Sequence, residues 1–414
     1  MVRPGAALAL LFLPATASWA AETPRYAVKL RADLERRVLH GEEVVTLDAE
    51  AGTLRLRKRQ ALAVVRFSGG ELSEDGDSVQ IRMARSGRQE LRFEFTAAAG
   101  PGLRWFAEAP GFFTAFDCGA WMICDDSPAE RARLELEIAL PLQSGLQAVG
   151  PGRLRKSWQD GAARHVLFEQ AEPVQSYLWS FAAARLGESP QGRLSVYAEA
   201  AGHAAALQKT ASAEAFFRDK AGTGRPTRRY AQVFLPERGL GQEAAGLALM
   251  SEAYLARLEK EDDVYLMAHE LAHQWWGVLV GIRSWSDFWL NEGMASFMAD
   301  AFIERHQGRP AYDRRIAERR EELARLQKEG KDRPLHFEGW KTATEALGPI
   351  PYCKGELFLD RLRAELGERS FWRGLALYTS RHARALVDSR DLQRAMEQAS
   401  GRSLAALFDE AVYR

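Results

Sequence analysis

The 414-residue sequence has no excess of either charge, with 56 Lys+Arg against 56 Asp+Glu. A nucleic-acid binder ordinarily shows a basic surplus, so that class is excluded, and net charge selects no other partner. Cysteine is scarce: Cys118, Cys124 and Cys353 are the only three. With no CxxC pair and no Cys/His cluster, a structural zinc module is excluded as well. Cys118 and Cys124 are close enough in sequence to pair in an oxidising compartment, or to stand as two small buried hydrophobes, and the odd count leaves at least one thiol free. Internal repeats and low-complexity tracts are absent. The apolar run at residues 6–13 is too short to span a bilayer. Preceded by Arg3 and followed by Ser18-Trp19-Ala20, it reads as a cleaved signal peptide over residues 1–20. The mature chain is then expected to begin near Ala21 or Glu22, exported to the periplasm or secreted, with no membrane attachment after cleavage.

What remains is ordinary in composition, with 46% hydrophobic and 27% charged residues, and too long for one core. From Arg25 to about Leu186, short period-two runs such as those at residues 26–30, 79–83 and 134–138 alternate with Gly, Asp and Ser clusters. That pattern predicts an antiparallel all-β domain. The stretch 187–192, with Pro190, reads as a linker or tight turn. Beyond it, strands are expected at 194–198 and 230–235 with a helix at about 204–220 between them, and helices from Ala244 onward. The fold class is therefore α+β, a β domain over residues 21–190 followed by a largely helical domain over 191–414.

The chemistry lies in the second domain. His269-Glu270-Leu271-Ala272-His273 is an HExxH motif in a helical stretch expected to begin at Asp262 or Asp263. Residues four apart share a helix face, so both imidazoles reach one metal ion, while Glu270 is turned by about 100° and stands beside it. A catalytic zinc needs a third protein ligand and an open position. Glu292, eighteen residues after His273 within Trp289-Leu290-Asn291-Glu292-Gly293, supplies a carboxylate from the start of the next helical segment. The resulting His/His/Glu set predicts one catalytic Zn2+, although such a set also accepts other first-row ions.

These segments together resemble the aminopeptidase N family of zinc peptidases, the thermolysin-like gluzincins. The resemblance extends to Tyr352-Cys353-Lys354-Gly355, similar to the family's Tyr-x-Lys-Gly segment, to residues 371–378 and 400–409 near the end, and to Asp125-Asp126-Ser127-Pro128 and Tyr177-Leu178 upstream. It implies an N-terminal β-saddle domain, a thermolysin-like catalytic domain and peptide substrates. It also implies roles: Glu270 takes a proton from water and passes it to the leaving amine, and Tyr352 donates to the oxyanion. The family's Gly-x-Met-Glu-Asn motif, whose Glu binds the substrate's free amine, survives here only as Glu243 in what reads as a polar loop. Asp117, after Phe113-Thr114-Ala115-Phe116, is a second candidate for the same ammonium. The family's C-terminal helical domain is not matched, which would leave an open cleft. An aminopeptidase is therefore the leading reading. A zinc endopeptidase or oligopeptidase is the alternative, and a non-catalytic peptide-binding relative is a further one. Trp275-Trp276 is expected to pack in the core, and the Arg/Glu-rich stretch 314–331 to form an exposed helix with charge pairs at helical spacing.

Overall fold

The computed structural model describes residues 22–414. The expected signal peptide lies outside the described residues. Strands dominate up to Ala184. Seven of them form one sheet in the spatial order Arg153–Asp160, Ala163–Val174, Ala132–Pro141, Arg25–Asp33, Val38–Ala49, Gly87–Ala98, Leu62–Ser68. The expected period of two is visible in burial: Arg25–Asp33 turns Tyr26, Val28, Leu30 and Ala32 inward and leaves the residues between them at least partly exposed. The runs at 79–83 and 134–138 likewise lie in the strands Ser78–Met83 and Ala132–Pro141. One departure from the all-antiparallel expectation is found, since Arg25–Asp33 and Ala132–Pro141 pair in parallel. Parallel neighbours need a long crossover, and the whole excursion through residues 34–131 serves as one. Cys118 and Cys124 are joined as a disulfide, and Cys353 is free and buried.

The segment 187–192 is a strand that ends in a tight turn at Gly192, not a linker. Gly187–Gln191 is the edge strand of a five-stranded sheet ordered Gly187–Gln191, Leu194–Ala198, Tyr230–Leu235, Leu247–Ser251, Gly241–Ala244. An edge position tolerates Pro190 because a proline cannot donate to the ladder. Helix α1 (Ala204–Ala221) connects the parallel strands Leu194–Ala198 and Tyr230–Leu235, as expected. The expectation of helices from Ala244 onward fails first at Leu247–Ser251, a wholly buried strand. A short apolar run of this kind has no periodicity that separates a buried strand from a buried helix.

The helices follow: α2 (Glu252–Lys260), α3 (Tyr265–Ala272), α4 (Trp289–Gln307), α5 (Arg309–Lys328), the short α6 (Ala343–Ala346), then α7 (Gly355–Leu366), α8 (Glu368–Arg381), α9 (Ser389–Ser400) and α10 (Ala405–Ala411). Helix α4 is buried on every side from Trp289 to Ile303, so it is the axis of this half. A π-helical turn, Ile350–Lys354, lies close against it: a Cβ on Gly293 would stand 2.8 Å from Gly355 Cα and from the Pro351 carbonyl oxygen. The tryptophan pair packs in the core as expected, with Trp275 Nε1 donating to the Thr223 carbonyl and Trp276 Nε1 to Thr379 Oγ1. The two halves are joined where Gln175 Nε2 donates to the Ile282 carbonyl at 2.8 Å and Arg131 Nη2 to the Val278 carbonyl at 3.2 Å. No helix among the described residues is long and apolar enough to cross a membrane.

Candidate active site

Asp262 adopts a left-handed φ of 57° after α2, which turns the chain into α3. The first turn of α3 is fixed by Tyr254, whose hydroxyl accepts from the Met267 amide at 3.0 Å and donates to the Asp263 carbonyl at 2.5 Å. One turn further, His269 and the residue just past the helix, His273, project from the same face. Their Nε2 atoms are 3.1 Å apart, and Glu292 Oε2 from the first turn of α4 lies 3.2 Å from His269 Nε2 and 3.4 Å from His273 Nε2. All three residues are buried. The expected metal-ligand set is thus brought together.

The surrounding hydrogen bonds test whether this set suits a cation. His273 Nδ1 faces two acceptors, Asn291 Oδ1 at 3.1 Å and the Trp276 carbonyl at 3.2 Å, so it carries a ring proton and Nε2 is the atom turned towards a cation that would displace any proton there. His269 Nδ1 lies 3.4 Å from Ser296 Oγ. Asn291 Nδ2 donates to Glu243 Oε1 at 3.1 Å and reaches Glu292 Oε1 at 3.4 Å. Gly277, at a φ of 139°, leaves room for that amide: a Cβ there would sit 2.4 Å from Asn291 Oδ1. Two imidazole Nε2 atoms and a carboxylate oxygen converge, which is the donor set of a divalent-metal site with tetrahedral N/O preference.

Three carboxyl groups crowd the imidazoles. Burial pushes Glu270 well above the usual carboxylate range, with Glu243 and Glu292 adding to the rise. One Glu270 oxygen has no hydrogen-bond partner, and the other would lie 2.9 Å from a Cβ at Gly241, so a glycine there keeps the carboxyl unobstructed. Burial also pushes Glu243 up to about 7, against the pull of His273. At His273 burial disfavours charge, but Glu243 and Glu292 outweigh it and hold the ring up, at about 10. Burial lowers His269. Glu292 falls to about 2 because the imidazoles overcome its burial. Tyr352, on the π-helical turn, stacks on His269 at 5.8 Å, and burial together with the three carboxylates holds its phenol well above the usual value, so it stays a donor.

Glu243 is placed otherwise than its sequence context indicated. It belongs to the edge strand Gly241–Ala244, not to a polar loop, and is buried at the site. Gln274 ties that strand's end to the end of α3, with Nε2 donating to the Ala244 carbonyl at 2.9 Å and Oε1 accepting from the Gly246 amide at 3.0 Å. Asp117 is not brought to the site. Its carboxylate accepts from Arg59 Nε and caps Gly119 N at 3.1 Å, and it is Phe116 that reaches the cleft wall. The walls of the cleft, about 480 Å³, also include Tyr265, Leu266, Arg319, Glu322 and Pro349. Arg319 was hidden in the charged stretch read as exposed. Asn291 and Gln274 were visible only as polar neighbours of the ligands.

Residues 205–410 match the Peptidase family M1 domain. The sequence is 25% identical to aminopeptidase M1-C of Oryza sativa subsp. japonica over 91% of this chain and 48% of that protein. It is 30% identical to aminopeptidase N of Streptomyces lividans over 46% of this chain and 23% of that protein. The chain spans about half the length, or less, of these curated relatives. Among solved structures, an M1 zinc metallopeptidase mutant of Deinococcus radiodurans bound to a Tyr-Ser-Ala substrate superimposes with a TM-score of 0.79 at 21% identity, covering 95% of this chain and 94% of that one, which shows a shared fold.

Proposed function

Because residues 205–410 match the Peptidase family M1 domain, we propose that the chain is an M1-family, zinc-dependent aminopeptidase that removes N-terminal residues from peptides. The observation that carries this reading is the buried His269, His273 and Glu292 triad with two further carboxyls, Glu270 and Glu243, beside it. The triad would hold zinc, which when bound lowers the pKa of water towards neutrality and polarises a carbonyl. Glu270, unobstructed and with burial raising its proton affinity, takes a proton from the attacking water and delivers it to the leaving nitrogen. Tyr352 keeps its phenolic proton and offers it as a hydrogen bond to the oxygen on which negative charge develops. Glu243, oriented by Asn291, meets the substrate's free ammonium, which restores a charged partner to a buried carboxylate. That buried carboxylate favours exopeptidase action over cleavage of interior bonds. Residues 1–20 and the Cys118–Cys124 disulfide support a location outside the cytoplasm.

The test is mass spectrometry of a peptide pool, half free and half N-acetylated, digested by the zinc-loaded protein. Stepwise loss of N-terminal residues from the free half alone is expected. Internal cleavage of both halves would make the protein an endopeptidase, and no cleavage of either would make it a non-catalytic relative.

A further inference from the structure

Helix α5 brings a cation to the cleft that the hydrolytic steps leave unused. Arg319 lines the cleft with His269, Glu270 and Tyr352, and among the described lining residues it is the one arginine, with no lysine beside it. Its guanidinium is held from three directions. Nε donates to Glu356 Oε2 at 3.1 Å, Nη2 to the Tyr265 hydroxyl at 3.2 Å, and Nη1 to Glu322 Oε2 at 3.3 Å. Glu356 is wholly buried on α7, and Arg315, paired with buried Asp300, lies 3.8 Å over the Tyr265 ring. The fork is therefore oriented before any ligand arrives.

Its hydrogen-bonding capacity is not exhausted. A guanidinium has five N–H donors, and the two left over lie on the terminal nitrogens that grip a carboxylate side by side. The remaining partner, Glu322, is only half-buried, so its pairing with Arg319 is weaker than that of Glu356 and an incoming carboxylate can displace it.

Position gives this cation its meaning. Glu243 is tied through Asn291 to His273, and Arg319 through Tyr265 to His269, whose ring stands 5.8 Å from that of Tyr265. A carboxyl and a guanidinium are thus each linked to a different one of the two imidazoles. One helical turn rises about 5.4 Å and an extended peptide advances about 3.3–3.6 Å per residue. A peptide with its ammonium at Glu243 and its first bond at the imidazoles continues along the cleft that Arg319 lines on the His269 side. We infer that Arg319 is a specificity residue that recognises a carboxylate on the residue after the scissile bond, supplied by an acidic side chain or by the free C-terminus of a dipeptide. This rests on the aminopeptidase reading for the direction of the peptide.

The test is calorimetric binding to the zinc-loaded Glu270→Gln protein of two matched pairs, Ala-Ala against Ala-Ala-amide and Ala-Glu-amide against Ala-Gln-amide. The carboxylate member of one pair should bind about 10- to 100-fold more tightly, as charge-assisted hydrogen bonds do. Discrimination in the first pair identifies the chain terminus, and in the second the side chain. Adding Arg319→Met should bring the ratio to about one. Adding Glu322→Gln, which leaves the buried partners of Arg319 intact, should increase it, and this decides the matter if the methionine variant does not fold. Equal affinity within both pairs, a ratio that survives Arg319→Met, or one that Glu322→Gln does not increase would overturn the inference. Hydrolysis of the same peptides by the wild-type protein is read separately: discrimination without any turnover would sink the peptidase reading and leave the carboxylate site, and turnover without discrimination would do the reverse.

Discussion

Two buried charge clusters share one face of α4, and they are balanced differently. Glu292, Ser296 and Asp300 follow at four-residue intervals, so they line up along the helix. At the Glu292 end stand three carboxyls and two imidazoles, with no arginine or lysine among the described residues hydrogen-bonded to any of the five. At the Asp300 end stand two carboxyls, Asp300 and Glu356, each met by a guanidinium from α5. The second cluster meets both of its buried carboxyls with guanidinia from within the chain and so holds helices together. The first leaves its negative charge to be answered by a metal ion and a substrate ammonium. Burial of charge alone does not mark a functional site; burial of charge that the chain does not itself neutralise does.

Substitutions at the two ends should separate these roles. Glu270→Gln should lower kcat by about 10²- to 10⁴-fold, while zinc content, measured by elemental analysis, stays at one per chain; substantial residual turnover would remove Glu270 as the base. Asp300→Asn should instead act on stability, costing about 1–3 kcal/mol because the half-buried Arg315 loses its charged hydrogen-bond partner. Denaturant unfolding measures this, and a loss of activity at unchanged stability would show that the two clusters are not separate. Glu243→Ala should lower kcat/KM on free-amine peptides by about 2–3 kcal/mol of transition-state binding, and an unchanged rate on those peptides would remove it as the amine anchor. Asn291→Ala, which frees the His273 ring, should weaken zinc affinity by about 10- to 100-fold, read by competition with a chelating dye. Asp313→Asn, breaking an exposed pair with Arg309 on α5, should change stability by less than about 0.5 kcal/mol.

The contrast also separates what the sequence discloses from what only the fold decides. The ligand set was legible because two of its members are fixed by local helix geometry and the third sits in a distinctive segment, and the strands before Ala184 because half-buried strands alternate. Glu243 was legible as a residue but not as a buried one: Gly241–Ala244 is an edge strand only because Leu247–Ser251 pairs with it. Asp117 was misassigned because Arg59, far away in sequence, claims its carboxylate. Arg315 and Arg319 read as members of an exposed charged helix because the helical pattern shows pairs within α5. Their actual partners, Asp300 and Glu356, come from α4 and α7, and no periodicity within α5 announces them.

Calorimetric titration of the metal-free protein with Zn2+, repeated on Glu292→Gln, tests the unbalanced cluster itself. One ion should bind per chain in the parent, and binding should weaken by at least about 10-fold in the variant, in line with loss of a ligating carboxylate. A parent that takes up no zinc, or a variant that binds it as tightly as the parent, would contradict the assignment of His269, His273 and Glu292 as a metal site.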